Sequence, residues 1–191
     1  MKLTTIGEHT IDTDLLTGGI AIDIGCLGWE FSKGMRDLGC EVHAFDLQHL
    51  EDKPAGVYFS VAAITDKDEK VKVLNTPDRQ AWHINGKGGI IVDSISLNKL
   101  YKFFEGQTVD VLKLDCEGSE YDILSDPAFR PIARQISVEF HYHCHKSKHE
   151  RLYAKCMENL NKYYVPVRHE WDERHGSGIN LWDSLWIKKG L

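Results

Sequence analysis

The sequence predicts a single-domain α/β fold with a mostly parallel sheet and an antiparallel strand pair at the C-terminal end. Two observations predict it. Apolar runs of strand length recur along the 191 residues, and helix-length segments separate several of them. Strands that are apolar throughout are typical of parallel sheets covered by helices on both faces. No repeat or linker divides residues 1–191, a length that suits one domain with a substantial core.

Six apolar runs are predicted as strands. They are GIAIDIG (19–25), EVHAFDL (41–47), GVYFSVAA (56–63), VDVLKLD (109–115), QISVEFHYH (135–143) and SLWIKKG (184–190). Three segments between them place apolar residues at helical spacing. They are WEFSKGMRDLG (29–39), SISLNKLYKFF (94–104) and KSKHERLYAKCMENLNKYY (146–164). The alternation of the two kinds of segment favours strand–helix–strand units.

Two regions depart from this alternation. Residues 64–92 contain the alternating stretch KVKVLN and the turn cluster NGKGG, so we expect an excursion or a small hairpin there. HEWDERHGSGIN (169–180) supplies a turn but no crossover helix before the last strand. The last two strands are therefore expected to pair in antiparallel fashion.

The charge, the apolar runs and the cysteine content argue against several classes of partner and location. The formal net charge is −6 and no Lys/Arg cluster stands out, which argues against a nucleic-acid partner. Residues 1–18 lack the apolar core of a signal peptide, and no apolar run approaches the ~20 residues of a membrane span. Five cysteines without CxxC spacing are typical of reduced thiols. We therefore expect a cytoplasmic protein with no nucleic-acid and no membrane partner.

A glycine turn follows the first predicted strand in AIDIGCLGWEF (21–31). Gly25 and Gly28 allow a tight turn and a close approach to a ligand at a helix N-terminus. The pattern is D-x-G-x-x-G and lacks the first glycine of a dinucleotide fingerprint. Asp23 stands at that end of the strand, where a carboxylate repels phosphate and favours a cationic ligand such as a sulfonium.

Asp46 ends the second predicted strand, in VHAFD, about twenty residues after the glycine turn. An acid at this position holds a ribose diol in nucleoside-binding sheets. A nucleoside combined with a cation and without phosphate points to S-adenosylmethionine. The alternative is that the glycines only form a turn and that Asp46 caps a loop.

The strand VDVLKLD ends in acids, since Asp115 is followed by Glu117, Gly118 and Glu120. Ligands of a doubly wound sheet bind outside the carboxyl ends of its strands, near the point where the strand order reverses. We therefore expect Asp115 at the reactive end of the cofactor. Glu120 lies in the first turn of a predicted helix, where an acid complements the helix dipole, and is given mainly that structural role.

At this point the chain resembles the FkbM-type family of S-adenosylmethionine-dependent methyltransferases. LKLDCEGSEYDIL is similar to that family's K-[IL]-D-x-E-G-x-E-x-x-[VL] signature, and EVHAFD, VAAITDKDEKVKV, VDSISLNKL and ISVEFH support it in order. The loop DIGCLG is one residue shorter than the family's usual D-x-G-A-N-x-G.

The resemblance implies a Rossmann-like class I methyltransferase fold and methyl transfer to an oxygen, often a sugar or natural-product hydroxyl. It implies cofactor contacts from the glycine loop and from the strand ends. The expected contacts are Asp23, Gly25, Gly28, Asp46, Asp115 and Ala63, the last in the segment after the third strand.

The strand SVEFHYHCH alternates, so Glu139 and His141 share a face that borders the same crevice as Asp115. We expect Asp115, Glu139 and His141 to be catalytic, with His141 as a general base for the hydroxyl proton. The alternative is that these three bind Mg²⁺ or a similar cation that lowers the pKa of the acceptor. His143, His145 and His149 are expected in a solvated loop.

The acceptor is expected to be a small molecule or a glycan. Residues 76–89 and 171–182, the second bounded by Trp171 and Trp182, are candidates for a lid over it. The rival hypothesis is a non-catalytic nucleoside-binding or interaction module that keeps the fold. An NAD-dependent enzyme is disfavoured by Asp23 and by the incomplete glycine fingerprint.

Overall fold

The computed structural model describes the backbone of residues 1–76, 81–84, 90–142, 149–173 and 180–191, and the side chains of residues 1–73, 91–142, 150–170 and 183–191. The strands in these ranges are β1 Leu3–Ile6, β2 His9–Asp12, β3 Ile20–Ile24, β4 Glu41–Asp46, β5 Val57–Val61, β6 Ala63–Thr65, β7 Lys70–Thr76, β8 Ala81–Ile84, β9 Ile90–Ser96, β10 Val109–Leu114, β11 Gln135–His141, β12 Tyr164–Glu173 and β13 Asn180–Lys188. The helices are α1 Glu30–Asp37, α2 Leu97–Phe103, α3 Ser119–Ser125 and α4 His149–Tyr163, with a 3₁₀ turn at Thr13–Leu15.

A seven-stranded sheet forms the centre of the described structure, in the order β12-β13-β11-β10-β3-β4-β5. The five strands from β11 to β5 are parallel. The strand order reverses at β3, which pairs with β10 on one side and β4 on the other. The predicted mostly parallel α/β fold is confirmed, and the reversal lies between the first and fourth predicted strands, β3 and β10.

The sheet ends in antiparallel strands. β13 pairs antiparallel with β11 and with β12. β13 begins at Asn180, earlier than the predicted 184–190, and β12, which was not among the predicted strands, includes residues 169–173 of the predicted turn. The expected C-terminal antiparallel pair is confirmed.

A second sheet has the order β6-β9-β7-β8. β7 and β8 form an antiparallel hairpin, and β9 joins it to β6. The expected excursion over residues 64–92 is therefore confirmed as a hairpin. It belongs to a larger four-stranded sheet because β9 also pairs with β6, a short strand that begins at Ala63, the last residue of the third predicted run.

Both faces of the central sheet carry apolar clusters. On β3, Ile20, Ile22 and Ile24 pack in a cluster with α2, α3 and α4 residues, while Ala21 packs in a second cluster with α1 residues. Successive side chains of a strand point to opposite faces, which explains this division. The sequence of β3 is apolar on both faces because helices cover both.

An N-terminal hairpin, β1–β2, was not predicted. Its second strand is fully buried and packs against β11 and β13. The amide nitrogen of Asp12 donates to Gln135 Oε1 over 2.7 Å, and Gln135 Nε2 donates back to the Asp12 carbonyl. The hairpin thereby covers one end of the face that also carries the candidate site.

Among the helices within the described ranges, none combines the length and apolarity needed to cross a bilayer.

Candidate active site

Polar residues form a row across three neighbouring strands on the α1 side of the sheet. Asp23 of β3 is in register with Lys113 of β10, and Lys113 is in register with Ser137 of β11. All three side chains are buried. Because register neighbours on parallel strands share a face, the next positions, Asp115 and Glu139, continue the same polar strip toward the carboxyl ends of the strands.

Lys113 is the buried cation of this strip. Its Nζ lies 3.0 Å from Asp23 Oδ1 and 3.3 Å from Asp115 Oδ2, and it donates a hydrogen bond to the Gly25 carbonyl. Burial lowers the pKa of Lys113, but the attraction of Asp23 and Asp115 outweighs this and raises it. The ammonium therefore stays charged and ties the glycine loop to the end of β10.

Asp23 is fully buried and already has partners within the protein. Its Oδ2 accepts a 2.6 Å hydrogen bond from Ser32 Oγ in α1, and its other oxygen faces Lys113. The expected contact between Asp23 and a cofactor stays a prediction. Lys113 partly balances the carboxylate that was expected to repel phosphate, and this lysine was not among the predicted site residues.

Gly25 brings the glycine loop against the end of β10. Its φ is +81°, and a Cβ at this position would lie 1.7 Å from the Asp115 carbonyl oxygen. Only glycine fits such a contact, because the backbone conformation and the missing space both exclude a side chain. Gly28 has φ +84° and precedes Trp29, which caps α1 with φ 65°. The two loops that border the reversal point are thus in van der Waals contact.

Asp46 ends β4 beside the glycine loop. Its Oδ1 accepts a 3.1 Å hydrogen bond from the Gln48 amide. Burial raises the pKa of this carboxyl, although nearby backbone N–H groups, including that of Cys26, oppose the rise. Ala63 begins β6 and its buried side chain packs with Val71 and Val73. The predicted cofactor contacts of both residues remain predictions.

Asp115 lies at the centre of the site and is 24% exposed. His9 Nε2 lies 3.5 Å from its Oδ2, and His141 Nε2 lies 3.6 Å from its Oδ1. Burial opposes ionisation of this carboxyl, but Lys113, His9 and His141 outweigh it and hold the pKa well below the usual range. Asp115 is therefore an anion over the whole physiological pH range, with its carboxylate partly open to solvent.

His141 is buried among carboxylates. Glu120 Oε1 accepts from its backbone N–H at 2.7 Å and lies 3.0 Å from its Nδ1. Its Nε2 lies 3.7 Å from both Glu117 Oε2 and Glu139 Oε2. Burial lowers the pKa of this imidazole, but the carboxylates raise it to about 10.

This charge state argues against the expected general-base role of His141, which stays a prediction. An imidazole with a pKa of about 10 is protonated near neutral pH and has no lone pair to accept the hydroxyl proton. The sequence placed His141 on the right face but gave no account of the acids around it. In this structure His141 can donate a hydrogen bond or stabilise negative charge.

Glu120 and Glu117 have larger parts in the site than the sequence predicted. Glu120 is fully buried, and it also accepts from the Gly118 amide at 2.9 Å, so it does more than complement the dipole of α3. Glu117 has the left-handed φ of 52°, which is rare outside glycine. Such backbone strain clusters at functional sites, and here it brings a carboxylate to His141.

The geometry adds a histidine to the expected metal ligands. Among the described residues, one ligand atom each of His9, Asp115 and Glu139 lies within 4.8 Å of the other two, and His141 Nε2 lies 3.6 Å from Asp115 Oδ1 and 3.7 Å from Glu139 Oε2. Burial raises the pKa of the Glu139 carboxyl, and the neighbouring Asp115 carboxylate raises it further. The two acids therefore lie close enough to require a cation or a proton between them.

His9 escaped the sequence analysis because it stands in the unpredicted hairpin, over a hundred positions from its partners. It is buried, and its Nδ1 lies 3.1 Å from Ser137 Oγ. The ring packs edge-on against Phe31 of α1. The burial of His9 follows from the packing of the hairpin on β11 and β13, for which the sequence offers no signal.

Several predictions fall outside the described residues. His143 and His145 lie there, as do the side chains of His149, Trp171 and Trp182. Most of the two candidate lid segments, 76–89 and 171–182, also lies there.

Comparison with known proteins gives one family match, in which residues 36–162 fit the model of the methyltransferase FkbM domain. A search of curated proteins gave no significant match. Solved structures with a similar fold include the 1,6-didemethyltoxoflavin-N1-methyltransferase of Burkholderia thailandensis, bound to its substrate and S-adenosylhomocysteine. It is 12% identical, with a TM-score of 0.46 over 89% of this chain and 71% of that one.

Two further solved structures are similar. TrmK of M. capricolum, in complex with S-adenosylhomocysteine, is 10% identical, with a TM-score of 0.47 over 90% of this chain and 62% of that one. The E. cuniculi Mtq2–Trm112 complex, which methylates the eRF1 termination factor, is 13% identical, with a TM-score of 0.48 over 92% of both chains. Identities at this level do not transfer a substrate.

Proposed function

The chain belongs to the FkbM methyltransferase family, and from that membership we propose that it transfers the methyl group of S-adenosylmethionine to a hydroxyl oxygen. The observation that carries the proposal is the contact between Gly25 and Asp115 at the reversal point of the sheet. Ligands of doubly wound sheets bind in the crevice at this point. The family match supports methyl transfer as the reaction, and the crevice is where the cofactor would bind.

In this proposal the nucleoside lies over the glycine loop, between the ends of β3 and β4. Asp46, at the end of β4, would hold the ribose diol with two hydrogen bonds. Gly28 and the N-terminus of α1 would lie beside the methionine moiety. The sulfonium would then point toward Asp115, whose ionised carboxylate favours a cation.

The balance of charge supports a cationic cofactor over a phosphate-bearing one. Lys113 and His141 are surrounded by more carboxylates than they can balance, namely Asp23, Asp115, Glu117 and Glu120, so this part of the crevice keeps a net negative charge. A pyrophosphate would meet this field unfavourably, while a sulfonium and an α-amino group would be attracted.

The acceptor would lie over the ends of β10 and β11. Its oxygen attacks the methyl carbon as the carbon–sulfur bond breaks, the bonding electrons leave with sulfur, and S-adenosylhomocysteine forms. Positioning of the two atoms in line supplies most of the rate in such a displacement. The methylated oxonium is strongly acidic, so even a weak base such as Asp115 can take its proton and release it to water. Charged His141 would orient the acceptor by donating a hydrogen bond.

We propose a small molecule or a glycan as the acceptor, and a cytoplasmic location. The described cysteines support the location because Cys26, Cys40, Cys116 and Cys156 are free thiols, three of them buried.

The proposal is tested by calorimetric titration of S-adenosylhomocysteine into the protein, with NAD as the competing ligand class. We expect micromolar binding of S-adenosylhomocysteine and none of NAD. Asp46→Ala should weaken binding tenfold or more, since charge-assisted hydrogen bonds contribute about 1.5–3 kcal/mol each. Asp37→Ala, at an exposed helix residue, is the control and should bind as the wild type does.

Turnover with hydroxylated acceptors, followed by release of S-adenosylhomocysteine, then separates an enzyme from a binding module. Binding without turnover on any hydroxylated acceptor would favour the non-catalytic alternative. Absence of binding would remove the enzyme and the nucleoside-binding module, and an interaction module that keeps the fold would become the leading hypothesis.

A further inference from the structure

Three side chains of the kinds that bind metal ions converge beside the crevice. One ligand atom each from His9, Asp115 and Glu139 lies within 4.8 Å of the other two. Two donors bound to one ion at about 2.1 Å lie up to about 4.2 Å apart, so small side-chain rotations complete such a site. His9 Nε2 and Asp115 Oδ2, at 3.5 Å, already have a suitable separation.

The surroundings of His9 resemble those of a metal ligand. Its Nδ1 lies 3.1 Å from Ser137 Oγ, which leaves Nε2 directed at Asp115. Metal-bound histidines nearly always use their second ring nitrogen for such a hydrogen bond, which fixes the ring and its tautomer. The edge-on contact with Phe31, at a centroid distance of 5.7 Å, holds the ring from a further side.

The charge around this point favours a cation. Lys113 and His141 are the two cations of the described cluster. The carboxylates in contact with them are Asp23, Asp115, Glu117, Glu120 and Glu139. Carboxyl groups therefore outnumber cationic side chains in this cluster. A divalent ion at Asp115 and Glu139 would compensate most of this excess.

We propose that His9, Asp115 and Glu139 bind a divalent first-row transition-metal ion. One imidazole and two carboxylates suit ions such as Mn²⁺, Fe²⁺ or Zn²⁺, whereas Mg²⁺ prefers all-oxygen ligands and keeps its water. Lys113 also contacts Asp115 Oδ2, so the ion and the ammonium would share that oxygen, while Asp115 Oδ1 lies 3.6 Å from His141 Nε2. His9 lies outside residues 36–162, so the site combines the family domain with the N-terminal hairpin of this chain.

The binding site does not depend on the proposed methyl transfer, but one consequence does. Three protein ligands leave open positions on the ion, and Asp115 is exposed toward the crevice. A hydroxyl bound there would have a lowered pKa, which would favour its attack on the methyl group.

The experiment is a titration of the EDTA-treated full chain with Mn²⁺, without cofactor, followed by calorimetry and by loss of the EPR signal of free Mn²⁺. We expect one ion per chain, bound at least about tenfold more tightly than Mg²⁺. His9→Asn and Glu139→Gln should each weaken Mn²⁺ binding at least about tenfold. His43→Asn is the matched control, since His43 lies on β4 beside Glu41 and should leave binding unchanged.

Circular dichroism and urea unfolding report whether each variant is folded, and Glu139→Gln keeps the side-chain volume in case His9→Asn does not fold. The proposal is overturned if the wild type shows no saturable Mn²⁺ binding. It is also overturned if folded His9→Asn or Glu139→Gln binds Mn²⁺ as the wild type does. Because these titrations contain no cofactor, they can fail while the methyltransferase proposal stands, and the reverse.

Discussion

Glu120 and His141 form a buried pair that joins α3 to the end of β11. One oxygen, Oε1, accepts from the His141 backbone N–H at 2.7 Å and lies 3.0 Å from its Nδ1. Both side chains are almost completely buried. Attraction to the carboxylate raises the pKa of the imidazole and keeps it charged, and a charged imidazole cannot accept a proton.

Removal of Glu120 should destabilise the fold. Glu120→Ala leaves a buried imidazolium without its main partner, and breaking a buried ion pair in this way costs about 3–5 kcal/mol. Urea unfolding at neutral pH measures the free energy of unfolding directly. Glu105→Ala, at an exposed glutamate, is the control and should change it by less than about 0.5 kcal/mol. Equal effects of the two substitutions would show that the pair contributes nothing.

Stability should fall as the pH rises above neutral. The pKa of His141 is about 10 in the folded protein against 6.5 for an ordinary histidine, so its contribution is fully present below pH 6.5. It is lost as the pH rises through 10, because the folded state then gives up a proton that it had held more tightly than the unfolded state. The slope should reach about 1.4 kcal/mol per pH unit.

The variant His141→Gln isolates this contribution. The free energy of unfolding, measured with urea at pH 7, 8 and 9, should fall less steeply with pH in the variant than in the wild type. The two slopes should differ by about 1.4 kcal/mol per pH unit, the value for one proton. Glu139 acts in the same direction, since its pKa is also raised, so Glu139→Gln is compared in parallel. Identical slopes in wild type and His141→Gln would show that His141 is not charged in the folded protein.

Lys113 and Asp23 should be energetically coupled. Lys113→Met leaves the fully buried Asp23 carboxylate without its cation, at an expected cost of about 3–5 kcal/mol. Asp23→Asn in the same chain removes the charge that Lys113 balances. The double variant should therefore lose less than the sum of the two single variants, by about 1–3 kcal/mol. Additive losses in urea unfolding would mean that the 3.0 Å contact carries no coupling.

The carboxyl-end placement of Asp115 could be predicted because it depends on local pattern and one general rule. The apolar run ends where the acid begins, and parallel sheets present such ends at the reversal point. The same rule placed Glu139 and His141 nearby, since alternation along β11 puts both on the face of Asp115.

The features that the sequence did not predict depend on contacts between segments that are far apart in the chain. His9 meets Asp115 because a short hairpin folds back over β11, and no periodicity in eighteen residues signals this packing. The charge of His141 depends on Glu120, which approaches from another element. Lys113 could have been predicted as a site residue from the sequence, because a lysine inside an otherwise apolar buried strand needs a buried carboxylate as its partner.

The close approach of Gly25 to Asp115 leads to a prediction with an internal control. Gly25 and Gly106 both have φ +81°, but a Cβ at Gly25 would lie 1.7 Å from the Asp115 carbonyl oxygen, whereas a Cβ at Gly106 would meet nothing within 4 Å. The two positions thus share the backbone strain of a left-handed residue and differ in the available space.

Gly106→Ala should lose only the cost of the left-handed conformation, about 1–2 kcal/mol in urea unfolding, and should bind S-adenosylhomocysteine as the wild type does. Gly25→Ala bears the same strain and must also push the glycine loop away from the end of β10. We expect a larger loss of stability than in Gly106→Ala, and at least a tenfold loss of S-adenosylhomocysteine affinity in the protein that still folds. Normal affinity in folded Gly25→Ala would mean that the contact between the two loops does not shape the cofactor crevice, and the nucleoside would then have to bind elsewhere along the sheet edge.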